Sequence, residues 1–213
     1  MNPFTIKDGY SLKKLFKILS GFYGPQHWWP GGSRFEIIAG AVLTQNTNWK
    51  NVEKAIANMK RARCMTASAV LKTGKDELKG LIRPAGFFNQ KAERLAAVSE
   101  FLMEEKKLLN SLLDKNNNFQ AREKLLSIKG IGPETADSIL LYAFAVPVFV
   151  VDAYTKRFLE FYHLYQGPMK YEDIRRFFES GLPADAELYN EYHALIVRWG
   201  KDARQMIDTK TRS

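Results

Sequence analysis

Residues 125–136 read Leu-Leu-Ser-Ile-Lys-Gly-Ile-Gly-Pro-Glu-Thr-Ala, which predicts two helices joined by a very short turn. Gly130 and Gly132 flank a single apolar residue, so the backbone can turn tightly there and approach a ligand without a Cβ in the way. Pro133 is well placed as the first residue of the second helix. Backbone amides near that helix start, with Lys129 beside them, suit a phosphate group. The alternative is a plain helix–helix connection with a glycine at the helix end.

Outside this turn the hydrophobic residues recur with a helical period nearly everywhere, which indicates an all-α protein. The strand-like stretch at 146–151 is isolated and contains a proline, so we expect an extended link between helices there. Three asparagines at 116–118 form a polar break. Beyond a first helix that Ser11 can cap, the predicted helices cover about 35–43, 48–60, 67–72, 76–82, 89–102, 119–127, 133–144, 152–163, 171–179 and 186–200.

Composition narrows the class of protein. The chain has 213 residues, 46% of them hydrophobic and 26% charged, which is typical of a soluble globule. Its formal charge of +9 favours a polyanionic partner, although it would also suit a ribosomal or membrane-surface protein. The single cysteine, Cys64, excludes an intrachain disulfide and any metal cluster that needs several thiolates from this chain. No apolar run approaches the ~18 residues of a membrane span and no signal sequence opens the chain, so we expect an intracellular protein without membrane contact.

The segment at 125–136 resembles the helix-hairpin-helix element of the endonuclease III-like DNA glycosylases, which act in base excision repair. The likeness continues past the hairpin, because Val150-Val151-Asp152 follows a loop marked by Gly and Pro in that superfamily, and the separation of Glu134 from Asp152 resembles the family's spacing. Other segments resemble the family in the same order along the chain: a Gln-containing turn at 40–47, a Gly-aromatic-Asn-x-Lys-Ala turn at 86–92, and the stretches 193–196 and 199–201.

This resemblance implies a fold of two helical lobes with a DNA-binding cleft between them. A central lobe at 24–132 would carry the hairpin, and residues 1–23 and 133–213 would together form the second lobe. Double-stranded DNA would lie across the cleft, with Asp152 at its mouth. We expect the protein to act on this DNA as a monomer.

Three departures from the family pattern limit the reactions that this chain is expected to catalyse. Family members that combine base removal with strand nicking carry a lysine nucleophile where this chain has Glu134, and a carboxylate cannot form a Schiff base. The adenine-mismatch branch has a glutamate as acid where Gly40 stands here. The four cysteines that hold an iron–sulfur cluster in endonuclease III relatives are missing from residues 201–213. We therefore expect a monofunctional glycosylase without a cluster.

No other cofactor or structural metal is expected. His27, His163 and His193 show no metal-ligand spacing, and His193 is better explained as a packed or hydrogen-bonded side chain. An alkali ion held by backbone carbonyls of the hairpin is implied by the resemblance alone.

The substrate class that remains is a base that leaves easily and is recognised by stacking. Alkylation at N3 or N7 puts positive charge on a purine, which weakens its glycosidic bond and attracts its ring to electron-rich aromatic faces. Trp28, Trp29 and Trp49 supply such faces, although each also suits simple packing. This pattern together with Glu134 is similar to the 3-methyladenine DNA glycosylases of the endonuclease III type.

The resemblance implies a role for each remaining site residue. Asp152 would stabilise a cationic sugar and orient the attacking water, and as the residue before an amphipathic helix it also suits an N-cap. Glu134 would line the base pocket or only favour a helix N-terminus. Phe87, unless it is buried at a helix start, would fill the gap of the extruded nucleotide together with Gln45 or Asn46. The groups that would hold backbone phosphates are Lys129, Gly130 and Gly132.

The sequence thus predicts a glycosylase that excises N-alkylated purines of the 3-methyladenine type from double-stranded DNA. Two alternatives stay open. An oxidised-pyrimidine or mismatch-adenine glycosylase would have moved its lysine or its acid elsewhere in the chain. A non-catalytic helix-hairpin-helix module would bind DNA in a salt-dependent way without releasing bases.

Overall fold

Helices account for the regular structure of this chain. The computed structural model describes residues 3–4, 9–113 and 118–210, and no strand occurs among them, so the predicted all-α class is confirmed. Within these ranges no helix combines the length and the apolar character needed to cross a membrane. The helices are α1 (Leu12–Tyr23), α2 (Arg34–Leu43), α3 (Trp49–Arg61), α4 (Ala67–Lys72), α5 (Lys75–Ile82), α6 (Phe88–Glu104), α7 (Lys106–Leu113), α8 (Asn118–Ser127), α9 (Pro133–Ser138), α10 (Ala153–Phe161), α11 (Tyr171–Gly181) and α12 (Ala186–Lys210).

Local capping explains where several of these helices begin. The side chains of Ser11, Asn48 and Asp152 accept backbone N–H bonds at the starts of α1, α3 and α10, as the sequence predicted. Pro133 is the first residue of α9, where its missing N–H has no helical partner to lose. The extended link at 146–151 is also confirmed.

Three features differ from the predicted helices. Helix α7 was not predicted, although Leu108 and Leu109 are buried on it and leucines recur four residues later. The helix predicted over 133–144 changes at Ile139 into a π-helical turn, Ile139–Ala143. Helix α12 extends beyond the predicted end at residue 200. Of the polar break at 116–118, Asn118 begins α8 and the other two asparagines lie outside the described residues.

The chain divides into two compact units. Unit 1 consists of Met1–Trp29 and Pro147–Ser213, and unit 2 consists of Pro30–Val146. The central lobe was predicted at 24–132, whereas this division assigns residues 24–29 to unit 1. It also assigns the segment at 133–146 to unit 2. Packing explains the difference, because α9 and the π-helical turn pack against α2 within unit 2.

Aromatic rings fill the centre of unit 1. Phe149 stacks on Phe178 with ring centroids 4.0 Å apart, and Tyr192 of α12 meets both rings edge-on. The Tyr192 hydroxyl donates to the Leu12 carbonyl over 2.9 Å. The ring packing holds α12 onto α11 and the extended link, and the hydrogen bond holds it onto α1.

Helix α2 is the central helix of unit 2. All of its residues from Ile38 to Leu43 are buried, and it packs against α3, α6 and α9. A helix with apolar residues on every side is stable only when it is surrounded in this way. The fully buried apolar side chains on the elements that pack against it include Val52, Met59, Leu95, Val98 and Ile139.

A buried ion pair joins the two helices on either side of the hairpin. Arg122 of α8 donates from Nε to one carboxylate oxygen of Asp137 over 2.6 Å and from Nη2 to the other over 3.0 Å. Asp137 lies on α9 and is fully buried. A bidentate pair of this kind fixes orientation as well as distance, so it sets how α8 and α9 meet at the turn.

We expect Arg122→Met to lower the free energy of unfolding by about 3 kcal/mol, because the substitution removes the guanidinium from a buried carboxylate. Urea unfolding followed by circular dichroism measures this change. Arg176→Met is the matched control, since its ion pair with Asp173 spans 2.9 Å on an exposed surface. The control should lose less than about 1 kcal/mol, and equal losses in the two variants would contradict the role assigned to Arg122.

Candidate functional site

The hairpin between α8 and α9 forms the tight turn that its two glycines predict. Gly130 has a φ of +88°, and a Cβ at this position would meet the side chain of Arg94. Ile131 between the glycines is buried, which anchors the turn in unit 2. The three residues predicted to contact phosphates are all exposed, namely Lys129, Gly130 and Gly132.

Gln45 lies in the loop after α2, and its side-chain amide is engaged at both ends. Its Nε2 donates to the Gly130 carbonyl over 3.1 Å and to the Thr135 hydroxyl over 2.8 Å. Its Oε1 accepts from Nη1 of Arg94 over 2.5 Å. The side chain therefore ties this loop to the hairpin. Asn46 beside it is exposed with a φ of +52°, so it is the more accessible of the two predicted gap-filling residues in the loop.

Phe87 is the residue before α6 and adopts a left-handed backbone conformation with a φ of +46°. It is 63% exposed. This exposure excludes the alternative of a buried aromatic residue at the helix start. Insertion into a gap in the DNA stays the predicted role of Phe87.

Asp152 both caps a helix and belongs to a polar cluster in unit 1. Its Oδ1 accepts from the Thr155 N–H over 2.8 Å and from the Thr155 hydroxyl over 3.0 Å, which is the predicted cap of α10. Its Oδ2 lies 3.5 Å from Nε2 of His193 on α12. The cap thus fixes one carboxylate oxygen, and the second oxygen faces the imidazole.

Opposing effects set the protonation of this carboxyl group. Burial raises the pKa of Asp152, but the His193 imidazolium and the hydrogen bonds from Thr155 together lower it by more. The resulting pKa lies below the ordinary value for a carboxyl group. Asp152 is therefore a carboxylate at neutral pH, held in one orientation and only 17% exposed.

Sequence reasoning did not identify His193 as the partner of Asp152. The histidine was predicted to be packed or hydrogen-bonded, and it is 5% exposed with its imidazole against the carboxylate. The two residues are far apart in sequence, and the packing of α10 against α12 brings them together. No local pattern around His193 carries that information.

The two neighbouring tryptophans are half-buried in unit 1. Trp28 and Trp29 lie edge to face with ring centroids 5.3 Å apart. Asn190 donates to the Trp28 carbonyl over 2.8 Å, and Nζ of Lys201 lies 5.9 Å from the centroid of the Trp28 ring. These contacts hold Trp28 at the wall of a cavity of about 460 Å³ within unit 1.

The other two predicted pocket residues belong to unit 2. Trp49 is the half-buried first residue of α3, and its Nε1 donates to Glu53 over 3.1 Å. It lines a cavity of about 360 Å³ together with Glu36. Glu134 is the exposed second residue of α9, where the helix dipole favours a carboxylate. This place agrees with the role at a helix N-terminus, and the role in the base pocket stays a prediction.

Metal ligands do not gather in the described part of the chain. Among those residues, no group of three or more His, Cys, Asp or Glu side chains could hold a metal ion. An alkali ion at the hairpin carbonyls, and the expected lack of an iron–sulfur cluster, stay predictions.

Sequence comparisons find similar proteins that match most of the chain. Residues 39–184 match the family described as HhH-GPD superfamily base excision DNA repair protein. A Methanocaldococcus jannaschii protein that is provisionally named a DNA repair glycosylase is 49% identical over 187 residues, covering 87% of this chain and 85% of that protein. The endonuclease III of Thermotoga maritima is 30% identical over 58% of this chain and 54% of its own length.

The fold also resembles solved structures. A crystal structure of H. pylori 3-methyladenine DNA glycosylase (MagIII), bound to 1,N6-ethenoadenine, matches with a TM-score of 0.78 and 32% identity. The match covers 91% of this chain and 99% of that chain. The resemblance first seen in the hairpin is thus confirmed over more than half of the sequence. The chain therefore belongs to the HhH-GPD superfamily of base excision DNA repair proteins, among its DNA glycosylases.

Proposed function

We propose that this chain is a monofunctional DNA glycosylase that excises N-alkylated purines of the 3-methyladenine type. The observation that carries the proposal is the Asp152 carboxylate, which is ionised at neutral pH and held between Thr155 and His193. Likeness to the H. pylori 3-methyladenine DNA glycosylase, at 32% identity over 91% of this chain, supports the substrate class.

The proposed reaction begins when the damaged nucleotide leaves the duplex, because its glycosidic bond cannot be reached inside the base stack. The bond between C1′ and the purine nitrogen then breaks, and its electron pair leaves with the base. A purine that was cationic through alkylation departs as a neutral base. The sugar becomes oxocarbenium-like, and the Asp152 carboxylate stabilises that charge. A water molecule oriented by the same carboxylate bonds to C1′ and gives up its proton to it.

The base pocket of the proposed enzyme uses aromatic faces and one acid. Stacking on Trp28, Trp29 or Trp49 would favour a purine ring that carries delocalised positive charge. Glu134 of unit 2 would contribute a full negative charge that favours a cationic base. None of these tryptophans is fully buried.

The second candidate is a glycosylase that also nicks the strand. It is favoured by the 30% identity to the endonuclease III of Thermotoga maritima. The chemistry at position 134 opposes it, because the carboxylate of Glu134 cannot attack C1′ to form a Schiff base. Direct trapping separates the two candidates.

Asp152→Asn should leave DNA binding and folding intact and reduce base release at least about 100-fold, because an amide still caps α10 and carries no charge to stabilise the sugar. The measurement is chromatographic identification of bases released from methylated duplex DNA under single-turnover conditions. Asp185→Asn is the matched control, since Asp185 caps α12 by accepting from the Leu188 N–H over 2.9 Å. Full activity in Asp152→Asn would rule out the mechanism, and binding without any release by the wild type would favour the non-catalytic module.

The excision rate should stay constant from about pH 8 to pH 5, because the pKa of Asp152 lies below the ordinary carboxyl value of 3.8. The rate should fall only as the pH drops through that lowered pKa, where the carboxylate becomes protonated. In His193→Asn the burial of Asp152 persists without the opposing imidazolium, so the acid midpoint should move to higher pH. His163→Asn is the control at an exposed histidine of unit 1. Unchanged midpoints in both variants would contradict the pairing.

Borohydride reduction during turnover should yield no covalent protein–DNA product, because Glu134 has no amine to form a reducible Schiff base. Denaturing gel electrophoresis of labelled duplex DNA measures the product, with an endonuclease III on its own substrate as the positive control. A stable cross-link to the wild-type chain would instead support the glycosylase that nicks the strand.

A further inference from the structure

Lys91 is a lysine of α6 that is fully buried inside unit 2. Its ammonium group donates to the Leu43 carbonyl over 2.8 Å and to the Ala85 carbonyl over 2.7 Å. A buried ammonium is costly unless oxygen atoms replace its water. Here both oxygens come from backbone that flanks the candidate DNA-contacting residues.

The first carbonyl lies where α2 ends. Leu43 is the last residue of that helix, and the carbonyls of a helix C-terminus lack partners within the helix. The negative end of the helix dipole also favours a cation at this place. Lys91 therefore holds the exit of α2, and the next residues along the chain are the loop that carries Gln45 and Asn46.

The second carbonyl lies at the start of the turn that carries Phe87. Ala85 ends the 3₁₀ helix Arg83–Ala85, and Gly86 links it to Phe87 with a φ of +67°. The Ala85 carbonyl also accepts from the Thr47 hydroxyl, in the loop after α2. The two loops thus share one acceptor, and the ammonium binds that acceptor and the end of α2 at once.

A neighbouring side chain on the same helix continues this arrangement. Arg94 is three residues after Lys91, so the two cations emerge on one side of α6. Arg94 donates to Gln45, whose amide reaches the hairpin at Gly130. Burial, and to a lesser extent Arg94, lower the pKa of Lys91 to about 8. A neutral amine keeps two N–H groups, so both carbonyl bonds persist above that pH.

We propose that Lys91 is a positioning residue that fixes the Asn46 loop and the Phe87 turn relative to each other, so that both can enter the gap left by an extruded nucleotide. Neither Asn46 nor Phe87 is held by burial, since both are exposed and both have left-handed backbones. The placement of these turns depends on what binds the backbone beside them. The inference rests on the proposed function only for its activity measurement.

The test compares Lys91→Met with Lys75→Met. Methionine keeps an unbranched chain of similar length and removes the N–H donors. Lys75 pairs with Glu93 of α6 over 3.5 Å, and both side chains are more than half exposed, so the control loses a lysine contact to the same helix without the two carbonyls. Hydrogen exchange should rise selectively at residues 44–47 and 85–88 in Lys91→Met and stay unchanged in the control.

Excision assays distinguish a positioning role of Lys91 from a general loss of structure in the variant. Lys91→Met should lose at least about 10-fold in single-turnover release of an alkylated purine from a fully paired duplex. The loss should be less than about 3-fold when the purine stands opposite an abasic site, because extruding the purine then leaves no partner base unpaired. In an Asn46→Ala/Phe87→Ala background, Lys91→Met should cost nothing further, since it acts through those residues.

Several results would overturn the proposal. Equal losses of excision rate on the two duplexes would do so, as would a further loss of excision rate when Lys91→Met is added to Asn46→Ala/Phe87→Ala. Amide hydrogen exchange that is unchanged, or that is raised throughout unit 2, would also overturn it. If Lys91→Met does not fold, Thr47→Val removes the hydroxyl bond to the same carbonyl, and the same selective exchange and duplex dependence should appear at smaller size. If the wild type releases no base at all, the proposed function fails, and the exchange measurement alone decides whether Lys91 holds the two turns.

Discussion

The bidentate pair between Arg122 and Asp137 is the interaction on which the candidate DNA-contacting face of unit 2 depends. It joins α8 to α9 across the tight turn of the hairpin. A defined angle is needed before the exposed amides around Gly130 can match the fixed spacing of a phosphate backbone. Gln45 then bonds to that turn, and Arg94 bonds to Gln45. Hydrogen bonds from Arg122, Gln45 and Arg94 thus order this surface.

Asp152 shows how a structural and a chemical role combine in one side chain. A helix cap needs only one carboxylate oxygen, and here Thr155 takes Oδ1 while Oδ2 faces His193. The cap removes the rotational freedom of the carboxylate, so the group is already oriented when the reaction begins. Partial burial strengthens its field, and the interactions with His193 and Thr155 hold the pKa of Asp152 below its ordinary value despite that burial. Capping and electrostatic stabilisation therefore reinforce each other.

Much of the fold and part of the site could be predicted from residues that act locally. Helix periodicity and the caps at Ser11 and Asp152 depend on neighbours within a few positions, and these predictions are confirmed. The partner of Asp152 and the engagement of Gln45 could not be predicted, because both depend on helices that meet only in the folded chain. The π-helical turn Ile139–Ala143 could not be predicted either, because a short apolar run of this kind is equally compatible with an ordinary α-helix.

The departures from the family pattern have a common chemical consequence under the proposed function. Glu134 removes the amine nucleophile, and Gly40 removes the acid that would protonate a neutral base. Water is then the nucleophile, and the base has to leave without help from an acid at that position. Only a base that is already activated, such as a purine made cationic by alkylation, departs readily on these terms. The remaining requirement is an anion beside the sugar as positive charge develops, and the contacts with Thr155 and His193 keep Asp152 in that ionised form despite its burial.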